Sequence, residues 1–348
     1  MMRRQAWLLA ALMVMLAACH CGVSPATPTP LPPTPTPTPR PAPTATPSPP
    51  PPAEETVITV TARITTLPAP LDRKKAELSG LAWHGDDLIL LPQYPHKEDD
   101  HLYTLPRTAL VAFAEAGEPL PDPRPIPFDD DGLRRISGFE GFEAIACEGD
   151  ACYLTIEAHD GETMVGYLVA GQWSEAGLTL DAATLHPIHP QVNLPNMSDE
   201  ALLIDGATLL AFDEANGPRI NPQPIVHRFA REGLEELDPL PLPPLDYRIT
   251  DATAFDETGC FWVVDYLWPG DAEKLQPVGP ADRPVERLVP LRVEAEGIIR
   301  CDAPTVALEL AADGKARNWE GAALLPGEGF LLVTDTHPKT LFAFVPAP

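Results

Sequence analysis

Beyond residue 56 short apolar runs alternate with clusters of Gly, Pro, Asp and Asn, and no long stretch keeps a helical period. The pattern predicts an all-β domain over residues 57–348, and an internal repeat selects a β-propeller over a sandwich or barrel. Five segments open on a polar residue and continue small and apolar: Ser79-Gly-Leu-Ala-Trp83, Glu143-Ala-Ile-Ala-Cys147, Glu200-Ala-Leu-Leu-Ile204, Asp251-Ala-Thr-Ala-Phe255 and Glu320-Gly-Ala-Ala-Leu324. Small side chains suit an innermost strand, where blades crowd the axis. Turn residues follow each segment, then a second apolar run at 88–91, 153–156, 209–212, 261–264 and 330–334. These runs lead to Gln93, Glu157, Glu214, Asp265 and Asp335, at 14, 14, 14, 14 and 15 residues from the opening position.

Third strands are expected at 110–113, 165–169, 225–229, 288–293 and 341–345, and fourth strands near Ile126, Leu178, Leu240 and Ile298. The last repeat runs out of chain, so the β-branched run at 57–64 is expected to supply its outer strand and close a five-bladed ring. Repeat starts lie 64, 57, 51 and 69 residues apart. Blades usually take about 40 to 50 residues, so a six-bladed ring is the alternative.

The first 56 residues are of a different kind. Arg3 and Arg4 precede an apolar stretch from Ala6 to Ala18, which reads as a signal peptide over residues 1–18 and is too short for a permanent span. It ends in Leu16-Ala17-Ala18-Cys19, which resembles the bacterial lipobox and implies lipidation at Cys19. Residues 19–56 form the anchor and linker, and positions 25–52 hold 15 prolines and seven threonines with no acidic residue. Such a stretch favours polyproline II and acts as a semi-rigid stalk. The expected location is the outer side of a cell membrane, attached by lipid.

Charge and cysteines narrow the partners. The formal charge of −26 lacks the basic footprint that nucleic acid requires. An exported chain permits disulfides. Cys147 and Cys152 flank the turn Glu148-Gly149-Asp150-Ala151, where a hairpin bridge is plausible, and Cys260 pairs with Cys301 only by elimination. A monomer is expected.

In a hairpin the start of strand one and the end of strand two share a face, so two polar rings meet at one mouth. The inner ring comprises Ser79, Glu143, Glu200, Asp251 and Glu320. Converging carboxylates repel unless protonated or bound to a cation, and hard oxygen ligands favour Ca²⁺. The outer positions Glu157, Glu214, Asp265 and Asp335, with Arg219 and Tyr94 on nearby loops, are candidates to bind a ligand. His96, His159, Trp268, His337 and Lys339 lie on the same loops.

The order Ser79, Glu143, Glu200, Asp251, Glu320, with Glu77-Leu78-Ser79 first and Trp319-Glu320-Gly321 last, resembles the calcium-activated soluble apyrase family. The resemblance implies a five-bladed propeller with an axial Ca²⁺ and hydrolysis of nucleoside di- and triphosphates. Asp251 stands where a serine is expected in that family, and Gln93-Tyr94-Pro95-His96 stands where it carries Asp-Arg-Thr-Gly. Asn318-Trp319-Glu320-Gly321 and Thr334-Asp335 resemble phytase-like propeller lipoproteins more loosely.

No Ser/His/Asp arrangement, phosphate-cradling loop or zinc signature is present. Two alternatives stay open. One is a calcium-binding propeller that binds a small polar or phosphorylated ligand and hydrolyses it as a metal-dependent phosphoric or carboxylic ester hydrolase. The other is a non-catalytic propeller that binds a protein or cell-wall partner.

Overall fold

A computed structural model describes residues 55–336 and 338–348. The expected signal peptide, Cys19, the proline-rich stretch 25–52 and His337 lie outside the described residues.

The described chain is mostly β and propeller-like. Four antiparallel series follow the repeat as read from sequence. The first runs Leu78–His84, Asp87–Pro92, His101–Pro106 and Arg124–Asp129. The second runs Phe139–Glu148, Ala151–Asp160, Thr163–Ser174 and Gly177–Leu180, and joins the first through a parallel pairing of Leu178 with Phe128. The third runs Asp199–Asp205, Thr208–Asp213, Ile225–Ala230 and Glu236–Pro241. The fourth starts Arg248–Ala252, Phe261–Leu267 and Val285–Glu294, the last of which pairs with both Gly297–Arg300 and Thr305–Leu308.

A fifth series, Trp319–Leu325, Gly329–Thr334 and Leu341–Pro346, takes Arg63–Thr66 as its outer strand. The run expected to close one sheet is therefore divided. Val57–Val60 pairs in parallel with Thr305–Leu308, and only the second half pairs with the chain's last strand.

The core is a set of layers between neighbouring series. Leu91, Leu102 and Phe128 pack on Phe142, Leu154 and Val169, while Leu203, Leu210 and Phe212 pack on Ile249, Phe261 and Val263. Leu81, Leu90 and Leu105 pack on Leu331, Val333 and Phe342, which brings the last series against the first. Innermost strands touch in the same cyclic order, with Trp319–Leu325 against Leu78–His84.

One expected strand is a helix. Residues 110–113 lie in Arg107–Ala116, and the third strand of the first series is His101–Pro106 instead. Five alanines and leucines in ten residues favour helix, Leu110, Phe113 and Ala114 fall on one buried face, and Gly117 closes the end at φ +71°. The other expected third strands lie within observed ones.

Both disulfides are present. Cys147 and Cys152 are cross-strand partners in one hairpin, and Cys260 joins Cys301 across 41 residues.

Candidate functional site

Each innermost strand carries an extra residue against its partner at or beside the polar position singled out in sequence, and the second carries another between Phe139 and Gly141. The register shifts fall between Leu78 and Gly80, Phe142 and Ile145, Asp199 and Ala201, Ile249 and Ala252, and Trp319 and Gly321. Four of the five expected residues, Ser79, Glu143, Glu200 and Glu320, are thus bulge residues, and a bulge re-aims a side chain out of the alternating pattern. The fifth, Asp251, lies one residue past Thr250, which holds the equivalent place two residues after Arg248. All five are buried.

The five do not share one role. The Ser79 hydroxyl donates to the Phe142 carbonyl at 2.6 Å, tying the first inner strand to the second. Asp251 accepts from the backbone amides of Ala252 and Ala322 at 2.8 and 2.7 Å, and so staples the fourth inner strand to the fifth. Thr250 adds a bond to the Trp319 carbonyl at 2.7 Å. Glu143 accepts from the Gln93 side-chain amide at 2.9 Å. Gly141 permits that approach, because a Cβ there would lie 2.3 Å from Gln93 Cγ.

Glu200 and Glu320 meet a residue that the repeat did not single out. The Arg248 Nη2 group lies 3.3 and 3.4 Å from the two Glu200 oxygens and 3.4 Å from Glu320 Oε1. Its Nε is ion-paired with the fully buried Glu214, and Nη1 lies 3.8 Å from Asp271. Arg248 is itself only 9% exposed.

The second ring is corrected at one position. Gln93 N bonds the Glu77 carbonyl, Glu157 pairs with Gly141, Glu214 N bonds the Ser198 carbonyl, and Asp335 N bonds the Asn318 carbonyl. The matching pair in the fourth series is Arg248 with Tyr266, not Asp265. Asp265 lies one residue short, and successive strand residues face opposite ways. Its carboxylate therefore takes a bond from Arg287 at 2.6 Å, apart from the Glu200, Glu214 and Glu320 cluster. Arg219 is also elsewhere. It is exposed and donates to the Pro277 carbonyl at 2.9 Å, which links two loops.

Tyr94 stays with the acids. It is half-buried under the Lys97 ammonium at 3.4 Å, and burial, then Glu143 and Glu140, push its hydroxyl pKa up. His159 is exposed and paired with Glu140 at 2.9 Å, and Lys339 is exposed near Asp72. Trp268 is 54% exposed on the loop that carries Asp271, its ring folded over Gly270.

The electrostatics follow from packing several carboxyl groups together out of water. Burial, then Glu157 and Glu200, raise Glu143 well above its ordinary pKa. Burial, then Glu200, bring Glu157 to about 8. Burial raises Glu200 to about 7 against the pull of Arg248, and raises Glu320 as well. Burial likewise lifts Asp335, whose carboxylate accepts from Asn318 at 3.1 Å. At neutral pH the centre holds protons, so some of its carboxyl groups donate as well as accept.

A calcium ion takes six to eight oxygens at about 2.3–2.6 Å. The expected ligands do not offer that shell here. Asp251 uses both oxygens on amides, the Ser79 hydroxyl is committed to Phe142, and Arg248 is bonded to Glu200 and Glu320. Among the described residues no group of three or more His, Cys, Asp or Glu is placed to hold a metal ion.

The other end of the same five strands is apolar. Leu81, Ile145, Leu203, Ala252 and Ala323 contribute to the lining of a cavity of about 100 Å³. Trp83 forms part of its wall, held by a bond from its indole N–H to the Leu324 carbonyl at 2.7 Å and covered by Arg107 at 4.0 Å.

The chain matches no family profile and no curated protein. It is similar in shape to the glutaminyl cyclase of Myxococcus xanthus, with a TM-score of 0.42 and 9% identity over 84% of this chain and 100% of that one. An exo-β-1,3-galactanase of Phanerochaete chrysosporium gives 0.47 and 9% identity, over 82% of this chain and 64% of that one. A thermostable family-43 glycoside hydrolase gives 0.46 and 12% identity, over 80% and 91%. Likenesses at this level assign no chemistry to this chain.

Proposed function

We propose that this protein is a lipid-anchored, extracytoplasmic five-bladed propeller whose acidic axial mouth binds a small polar ligand that is neutral or cationic. Five blades follow if the nine-stranded sheet is counted as two, and the cyclic packing of inner strands supports that count. Arg63–Thr66 then completes the last blade and closes the ring, which leaves no open sheet edge there. Anchoring rests on the lipobox-like Leu16-Ala17-Ala18-Cys19 and the proline-rich stalk. On this reading Cys19→Ala releases the protein from the membrane fraction.

The observation that carries the ligand class is the convergence of Glu200, Glu214, Glu320 and Asp271 on one guanidinium, that of Arg248, with Glu143, Glu157 and Asp335 buried among the same acids. A phosphate would find the Arg248 guanidinium already committed to Glu200, Glu214 and Glu320. A neutral hydroxylated ligand meets both acceptors and proton-bearing donors. Tyr94 and the exposed Trp268 offer aromatic faces for the apolar side of such a ligand. Carboxyl groups that keep protons near neutral pH also suit general acid catalysis, so hydrolysis of the bound ligand belongs to the same reading.

The test is a thermal-shift panel of neutral sugars, polyamines and sugar phosphates on wild type and Glu157→Gln, with chromogenic phosphoric and carboxylic esters assayed in parallel. A compound that binds only the folded state raises the melting temperature. Neutral or cationic compounds should do so in wild type and less in the variant. If sugar phosphates bind best, the charge argument fails. If nothing binds or turns over, a module for a protein or cell-wall partner replaces this reading.

A further inference from the structure

We propose that Arg248 is the axis's own cation: its guanidinium, bonded to Glu200 and Glu320 and ion-paired with Glu214, occupies the place that a divalent metal would otherwise fill. The inference concerns what holds the acids together, and stands whether or not the mouth binds the ligand class proposed above.

Three series contribute carboxylates to this one group. Glu200 and Glu214 come from the third, Asp271 from the fourth and Glu320 from the fifth. A guanidinium suits the task because it presents five N–H donors in a plane and keeps its charge in proteins. It reaches the cluster because Arg248 occupies the position that holds Glu77, Gly141, Ser198 and Asn318 in the other series. The Arg248 side chain also lies beside the Tyr266 ring, at 5.8 Å from its centroid, so the fourth series gives an aromatic where three others give Glu157, Glu214 and Asp335. Asp251, one residue past the bulge position that Thr250 holds in this series, is withdrawn from the cluster by two backbone amides.

A metal and this guanidinium would compete for the same oxygens of Glu200 and Glu320. The arrangement therefore predicts that wild type is indifferent to calcium, and that removing the guanidinium creates a need for it. The experiment compares the melting of the full chain in millimolar Ca²⁺ and in excess chelator, for wild type, Arg248→Gln and Arg248→Lys. Wild type should melt at one temperature in both. Arg248→Gln should melt lower in chelator and recover several degrees in calcium, because Glu200, Glu214 and Glu320 are left without a counter-charge. Arg248→Lys keeps a charge without the fork, and should melt between the two with no calcium response.

Wild type that loses stability on chelation and regains it with calcium overturns the proposal. So does Arg248→Gln with wild-type stability in chelator. Should Arg248→Gln fail to fold, Arg248→Lys decides: indifference to calcium supports the proposal, and calcium-dependent melting contradicts it.

Discussion

At one end of the innermost strands Glu200 and Glu320 lie buried beside Arg248, and a few residues further along the inner strands Leu81, Ile145, Leu203 and Ala323 line an apolar cavity. The apolar end needs only shape and burial, and neighbouring alkyl groups can replace one another there at modest cost. The acidic end is held by groups that depend on one another, so losing one leaves others uncompensated. The bulges mark the boundary, since they turn the polar residue out of the ladder before the small apolar residues take over.

The largest difference between the two ends should appear on Arg248→Ala. Breaking a buried ion pair by removing one partner costs about 3–5 kcal/mol, and here several carboxylates lose the same partner. Urea unfolding should show a loss at or above that range. A loss under about 1 kcal/mol would mean that the acids are held by something else.

At the apolar end, Leu203→Ala should cost about 2–3 kcal/mol, the lower part of the usual Leu→Ala range, because the side chain borders a cavity already present. Its cost should be the same at pH 5 and pH 8, to be read in the same urea experiment. A cost that changed with pH would show that the two ends are coupled.

The two ends should also differ in the pH dependence of wild type, which comes from the acidic end. Glu157 is raised to about 8 and Asp213 to about 7, chiefly by burial, from ordinary values of 4.5 and 3.8. The folded state then binds these protons more tightly than the unfolded state. Their contribution is complete below the ordinary values and is lost as pH rises through the folded ones. The melting temperature should therefore fall as pH rises from about 4.5 to about 8. Glu157→Gln should flatten the upper part of that fall, and an unchanged curve would place the titration elsewhere.

Much of this was readable along the chain. Ser79, Glu143, Glu200, Asp251 and Glu320 stand out because each opens a run of small apolar residues, and both disulfides follow from the even set of cysteines in the domain. What the chain hides is which way a side chain turns. Arg248 precedes Asp251 by three residues, and Arg317 precedes Glu320 by the same distance. Yet Arg317 turns away to Glu286 while Arg248 reaches the axis. Spacing treats them alike, and only the register of each bulge separates them.

Asp265 shows the same limit, since its spacing fits the ring while its strand position faces Arg287. The helix Arg107–Ala116 was concealed differently. Its residues Ala109-Leu110-Val111-Ala112-Phe113 read as an apolar run, and only the longer window of alanines up to Gly117 favours helix over strand.

The central claim is that the converged acids are held by a cation belonging to the chain. A high-resolution crystal structure grown in millimolar calcium tests it most directly. The account predicts a planar guanidinium between Glu200 and Glu320 at hydrogen-bond distance, with no ion among those oxygens. A spherical density with six to eight oxygens at about 2.3–2.6 Å, and Arg248 turned out of the axis, would contradict it.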